Sequence, residues 1–190
     1  MNRFKVEELR QAADKAAVSL RVFLAGPYIN VLGRPPSKAV FNGAARLRFE
    51  LYRFLKSKFN ADVTLGEHNA LKKIYGEHFK HLANSALAEL AHVDKEVDLI
   101  VLIPSSPGSF SELGLFSLNN GICRKMLILL DESKKEPPGF IHLGPVPFAG
   151  MYGSQIEYIN YKNLDVGMRT VESFYESIRV SKLASKYRLE

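Results

Sequence analysis

The stretch from Val97 to Asp131, VDLIVLIPSSPGSFSELGLFSLNNGICRKMLILLD, leaves this chain few folds to choose from. Leu99 to Ile103 is an unbroken apolar run rich in branched residues, the pattern of a parallel strand covered on both faces. Pro104-Ser-Ser-Pro-Gly108 stops the strand and turns the chain. Ser109 is then placed to cap a helix beginning at Phe110, with Glu112 in its first turn. Met126 to Leu130 returns as the next parallel strand. In open sheets of this kind ligands bind outside the carboxyl ends of the strands, and the 104–109 turn sits at such an end. Glu112, beside it, is the leading candidate for chemistry.

The rest of the chain extends the same alternation. Arg21 to Ala25 reads as the first buried strand, ended by Gly26-Pro27-Tyr28 because proline cannot continue a sheet. Lys38 to Phe59 is predicted helical, with Val40, Ala44, Leu47, Leu51 and Leu55 at three- and four-residue steps. Arg46, Arg48, Arg53, Lys56 and Lys58 on its other faces read as a solvated surface. Asp62 to Leu65 is a short strand, and a helix over 72–93 turns Phe79, Leu82, Ala86 and Leu90 inward. FIHLGPVPFAGMYGS (140–154) has no helical period and is predicted to be an irregular binding loop or lid. Gln155 to Tyr161 is a last strand and Val166 to Arg188 a last helix. The fold predicted is α/β: a doubly wound parallel sheet of about five strands in flavodoxin-like (Rossmann-like) order, helices on both faces. It occupies residues 19–190, preceded by an appended amphipathic helix within 1–18.

At 190 residues the chain can bury one substantial core. No apolar run is long enough to span a bilayer, and the charged amino-terminus has no secretory pattern, so a cytoplasmic location without membrane contact is expected. A single cysteine, Cys123, excludes an internal disulfide framework, and its place before a buried strand makes it a core residue rather than a nucleophile. His78 and His81 lie three apart without a convincing third ligand, so no metal is expected. There is no phosphate-binding loop of the GxxxxGK type and no dinucleotide fingerprint, and no resident cofactor is expected. The net charge of +6 biases the chain toward anionic partners such as nucleotides and nucleic acid.

Ser109-Phe-Ser-Glu112 reads two ways. It matches the capping box, in which the glutamate reaches back to the cap nitrogen. It also puts a carboxyl group beside the hydroxyls and glycine of Ser106, Gly108 and Ser109, where free helix amides would meet a phosphate or sugar. The Gly26-Pro27-Tyr28 turn faces the same crevice, and Glu67 and His68, at the end of the second strand, are candidates for substrate contact there.

LAGPYI (24–29) taken with DLIVLIPSSPGSFSELGLF (98–116) resembles the nucleoside 2-deoxyribosyltransferase superfamily. The resemblance runs over residues 20–131. It implies that Glu112 attacks the anomeric carbon of a nucleoside and that Tyr28 orients Glu112. It also implies that Gly26, Pro27, Ser106, Gly108 and Ser109 shape the substrate site, with Gly114 as the small residue after the nucleophile. Ser106 stands where the transferases carry a sugar-binding aspartate. The Pro-Gly-Ser-x-x-Glu form is most similar to a divergent branch of effector toxins in bacterial retron defence systems. There a reverse transcriptase and its branched DNA–RNA product keep the effector silent. The resemblance therefore implies those partners, an oligomer or complex, and a nucleotide-like small-molecule substrate.

A carboxylate at a helix amino-terminus is expected to be held ionised by the amides there, and so to serve as nucleophile or to steady an oxocarbenium-like transition state. The leaving base needs an acid or a charge of its own; the nicotinamide of NAD already carries one. The expected activity is N-glycosidase chemistry on NAD or a nucleoside phosphate. The alternatives are a nucleotide phosphoribohydrolase and a nucleotide-sensing module in which Glu112 is only a cap.

Overall fold

The computed structural model describes residues 19–67, 85–135 and 139–187. Strand β1 (Arg21–Ala25) is followed by a long loop, a 3-10 turn at Val40–Gly43 and helix α1 (Ala44–Phe59). Next come β2 (Asp62–Thr64), α2 (Ser85–Lys95), β3 (Leu99–Leu102), α3 (Pro107–Ser117), the single turn α4 (Asn120–Cys123) and β4 (Met126–Asp131). Two short helices, α5 (Phe140–Leu143) and α6 (Pro145–Met151), lead to β5 (Gln155–Ile159) and the long α7 (Leu164–Tyr187). The strands form one sheet in the order β2-β1-β3-β4-β5, every pair parallel, as the alternation predicted. The expected helix within 1–18, the 72–84 part of the next predicted helix, and His68, His78 and His81 lie outside the described residues.

The central strands are apolar at every position because both faces are covered, while their side chains still alternate. Val22, Leu24, Leu99, Val101, Leu127 and Leu129 face α1 and α7. Phe23, Ala25, Ile100, Leu102, Met126 and Ile128 pack with Leu113, Phe116, Ile122 and Ala149 of α3, α4 and α6. Among the described residues no helix is long and apolar enough to cross a membrane.

Three local expectations are corrected. Residues 140–151 are two short helices rather than an irregular loop. Pro145 stands at the amino-terminal end of α6, where a proline interrupts no hydrogen bond, and Val146 and Ala149, three apart, are buried. Ala86 is exposed, and α2 turns Ala88 and Val93 inward instead. Val40 lies outside α1, in the preceding 3-10 turn, and is 41% exposed. Part of the basic face of α1 is solvated as expected: Arg53 is exposed and Lys58 pairs with Glu172 of α7, while Arg46, paired with Glu50, is half-buried. Arg48 is buried, being 1% exposed.

Candidate functional site

Helix α3 begins three residues earlier than the sequence suggested. Pro107 opens it, with a fixed φ already suited to a first turn, and the N-cap is Ser106 in extended conformation. Ser106 Oγ accepts from the Ser109 amide at 3.4 Å. Ser109 Oγ in turn accepts from the amides of Ser105 and Ser106 at 3.0 and 2.9 Å. The capping box is thus Ser106 with Ser109, and the predicted Ser109–Glu112 box is absent. Ser109 is buried and its hydroxyl holds the turn together. Gly108 stands on the open side of this turn, with nothing within 4 Å of where a Cβ would be.

This shift removes Glu112 from the first turn and from the unsatisfied amides that would have held it ionised. It is partly buried, and Oε2 is sealed from solvent with no hydrogen-bond partner among the described residues. Burial, reinforced by the neighbouring Glu89 carboxyl of α2, pushes the Glu112 pKa up to about 8; Arg48 opposes the rise and Glu67 adds to it. The expectation of an ionised carboxylate is therefore corrected: burial favours the protonated form of Glu112 at neutral pH. Ser105 Oγ, just before the helix, is likewise buried without a partner among the described residues. Buried polar atoms without a partner call for an explanation, and a bound ligand is one.

The carboxyls of Glu89 and Glu112 converge on Gly66, at the end of β2. A Cβ built there would lie 2.9 Å from Glu89 Oε1 and 3.5 Å from Glu112 Oε1. The space a side chain would fill is the point that both acids face.

The rest of this end of the sheet is organised by Arg48. Its Nε and Nη2 donate to the Leu24 carbonyl at 3.1 and 2.6 Å, and its Nη1 donates to the Pro27 carbonyl at 2.9 Å. Nη1 and Nη2 also donate to the two oxygens of Glu67, at 2.8 and 3.0 Å. Glu67 Oε1 accepts from the Ile29 amide as well, at 3.3 Å. The guanidinium so ties the end of β1 and the Gly26-Pro27 turn to the end of β2. Gly26 is required by this contact, since a Cβ there would sit 3.0 Å from Arg48 Cδ. Pro27 and Ile29 are buried, so the intervening Tyr28 points outward and is 72% exposed. Tyr28 makes no hydrogen bond to Glu112 by which it could orient that residue, because the buried residues on either side turn it outward.

A separate cleft of about 350 Å³ opens at the ends of β3 and β4. Pro104, Phe110, Leu130, Asp131 and Phe140 line it. Among the described residues no group of three or more histidine, cysteine or carboxylate side chains could hold a metal.

Of the predicted site residues, the structure brings Glu112, Gly26, Pro27, Glu67, Ser106, Gly108 and Ser109 to the carboxyl edge of β1, β2 and β3 and turns Tyr28 away. Sequence reasoning missed Glu89 and Arg48. A signal existed for Arg48: it stands four after Ala44 and three before Leu51, on the inward stripe of α1.

Comparison with known proteins supplies the context. The family model described as STM3845 retron effector protein matches residues 45–188. An Escherichia coli protein named "Retron Ec86 putative ribosyltransferase/DNA-binding protein" is 34% identical over 110 residues, which cover 57% of this chain and 34% of that protein. The chain thus spans about a third of the length of this curated relative.

Proposed function

Because the chain belongs to the STM3845 family of retron effector proteins, we propose that it acts as the toxin of such a defence system, cleaving the N-glycosidic bond of a nucleotide such as NAD or a nucleoside phosphate. The observation that carries this reading is the Glu89–Glu112 pair, one member buried, unpartnered and protonated, at the ligand-binding edge of the sheet. With its pKa raised to about 8, Glu112 holds a proton near neutrality, and the Glu89 carboxyl beside it helps to keep it there. N-glycosidic cleavage uses both forms of that carboxyl. The C1′–N bond breaks with its electron pair on the departing base, and the Glu112 proton neutralises that pair when the base is uncharged. The carboxylate left behind, assigned to Glu112, adds to C1′ or steadies the oxocarbenium ion. Water then supplies hydroxyl to C1′ and its proton returns to Glu112. A base that leaves from a cationic glycoside, as nicotinamide does, needs no proton, so on such a substrate Glu112 first gives its proton to solvent and acts as the carboxylate.

Ser106, Gly108 and Ser109 shape the wall over which the sugar and phosphate lie, and the Phe110–Phe140 cleft offers aromatic faces beside it. Glu67 is engaged by Arg48 and serves the site through it. As partner we assign the reverse transcriptase of the system and its branched DNA–RNA product, consistent with the relative whose name joins ribosyl transfer to DNA binding. The test is direct. Purified protein is incubated with NAD and a panel of nucleoside phosphates, and released bases are separated by chromatography. Release by the wild type and its loss in Glu112→Gln support the reading; ligand binding with no base released from any substrate refutes it.

A further inference from the structure

We propose that Arg48, with Glu67 as its counter-ion, is a positioning residue of this site: it fixes the Gly26-Pro27 turn and sets the electrostatic field at Glu112. The inference rests on the glycosidase reading above and deepens it. What points to Arg48 is its buried geometry.

Arg48 is among the largest fully buried side chains of the protein, and it reaches the edge of the sheet from the helix behind β1. A guanidinium this deep is retained at a desolvation cost that apolar packing would avoid, so its contacts indicate what it is for. Those contacts are the last carbonyls of β1 and its turn on one side and Glu67 on the other. Glu67 adjoins Gly66, the point on which Glu89 and Glu112 converge. The charged groups that bear on Glu112 are thus Glu89 from α2, Glu67 from the end of β2, and Arg48 from α1. The two charges of this buried, bidentate ion pair act on Glu112 with opposite sign, and removing either one leaves the other uncompensated.

This arrangement gives opposite signs to two substitutions. Glu67→Gln keeps the acceptor for Arg48 but removes the negative charge, so the Glu112 pKa falls. Arg48→Met removes the positive charge, so it rises. A purely structural role predicts otherwise: loosening the contact admits water, relieves desolvation, and lowers Glu112 in both variants. Arg48→Lys keeps the charge without the five-donor fork, so its titration resembles the wild type while the turn loses its anchor and KM rises.

The experiment follows the glutamate carboxyls by 13C NMR between pH 5 and 10, with the Glu112 resonance assigned from Glu112→Gln. The pH dependence of kcat/KM on a nucleoside monophosphate with a neutral base runs alongside it. The Glu112 titration midpoint should move by about one on the pH scale, downward in Glu67→Gln and upward in Arg48→Met, with the alkaline limb of kcat/KM moving in parallel. If Arg48→Met does not fold, Glu67→Gln against Glu67→Asp decides the point, since both disturb the contact and only the first removes the charge. Equal displacements in those two, or a Glu112 titration that overlays the wild type in folded Glu67→Gln, overturns the proposal. The NMR titration needs no turnover. Absence of base release therefore defeats the glycosidase reading alone, and unmoved titrations in an active enzyme defeat only the role of Arg48.

Discussion

Glu112→Gln should make the protein more stable at neutral pH while removing its activity. The folded-state pKa of Glu112 is raised from 4.5 to about 8. A carboxyl raised in this way favours the folded state fully only below its unfolded pKa, where both states are protonated. As pH climbs past 4.5 the unfolded chain ionises and the folded one does not, and stability drains away until about pH 8, above which both are ionised and the loss is complete. Raising the pH tenfold in this window costs about 1.4 kcal/mol, so at pH 7 the penalty is on the order of 3 kcal/mol. Glutamine keeps the volume and carries no charge, so the variant escapes that penalty. Urea unfolding of wild type and variant from pH 4 to pH 9 reads the effect: curves that nearly coincide at pH 4 and separate steadily toward pH 8, the variant above. Two curves running parallel over that range would show that Glu112 is neither desolvated nor protonated in the fold. If instead the variant is the less stable at every pH, Glu112 is a structural cap after all.

The substrate's charge should decide the alkaline side of the pH profile: kcat/KM for a neutral leaving base falls above about pH 8, where the Glu112 proton is lost, while for a cationic base it rises toward a plateau there. A common alkaline limb for both substrates would show that the proton serves some other step. Ser109→Ala removes a buried hydroxyl that bonds two amides, and should lower stability by about 1–2 kcal/mol in chemical denaturation, with appreciable turnover retained. Val101→Asp puts an unpaired charge in a fully buried position of β3 and should cost several kcal/mol, read as loss of a cooperative melt. Deleting residues 1–18 should leave the core folded and weaken association with a reverse transcriptase–nucleic acid complex; the remaining binding should fall steeply with salt in a filter or calorimetric titration.

The sheet was legible because its signal is local. A strand buried on both faces has to be apolar at consecutive positions, and LIVLI and MLILL can be little else. The start of α3 was not, because two serines and a glutamate at three-residue spacing fit two overlapping capping boxes. What decides between them is Pro107, which reads as a breaker in a string of letters and as an ideal first helical residue in space. Pro145 misled in the same way at α6. In both cases the proline's meaning depends on whether a helix follows, and that is settled by what lies opposite to be buried: Leu113 and Phe116 for α3, Val146 and Ala149 for α6.

The site was legible in part for a different reason. A sheet of this order brings the ends of β1, β2 and β3 side by side, so the candidates Gly26, Glu67 and Glu112 had to meet once the strand order was right. Their roles followed only from what meets them. Glu112 was read as ionised because its neighbours in sequence are helix amides, yet its neighbours in space are Gly66 and Glu89, both distant along the chain. Arg48 carries the same lesson in reverse. On the stripe Ala44, Leu47, Leu51, Leu55 an arginine at the inward position is an anomaly that periodicity exposes at once. An inward arginine must find carbonyls and a carboxylate at the end of its reach, and in a β1–α1–β2 unit the place it reaches is the end of the sheet. There its partner is Glu67, and the field of that pair falls on the carboxyls that perform the proposed chemistry.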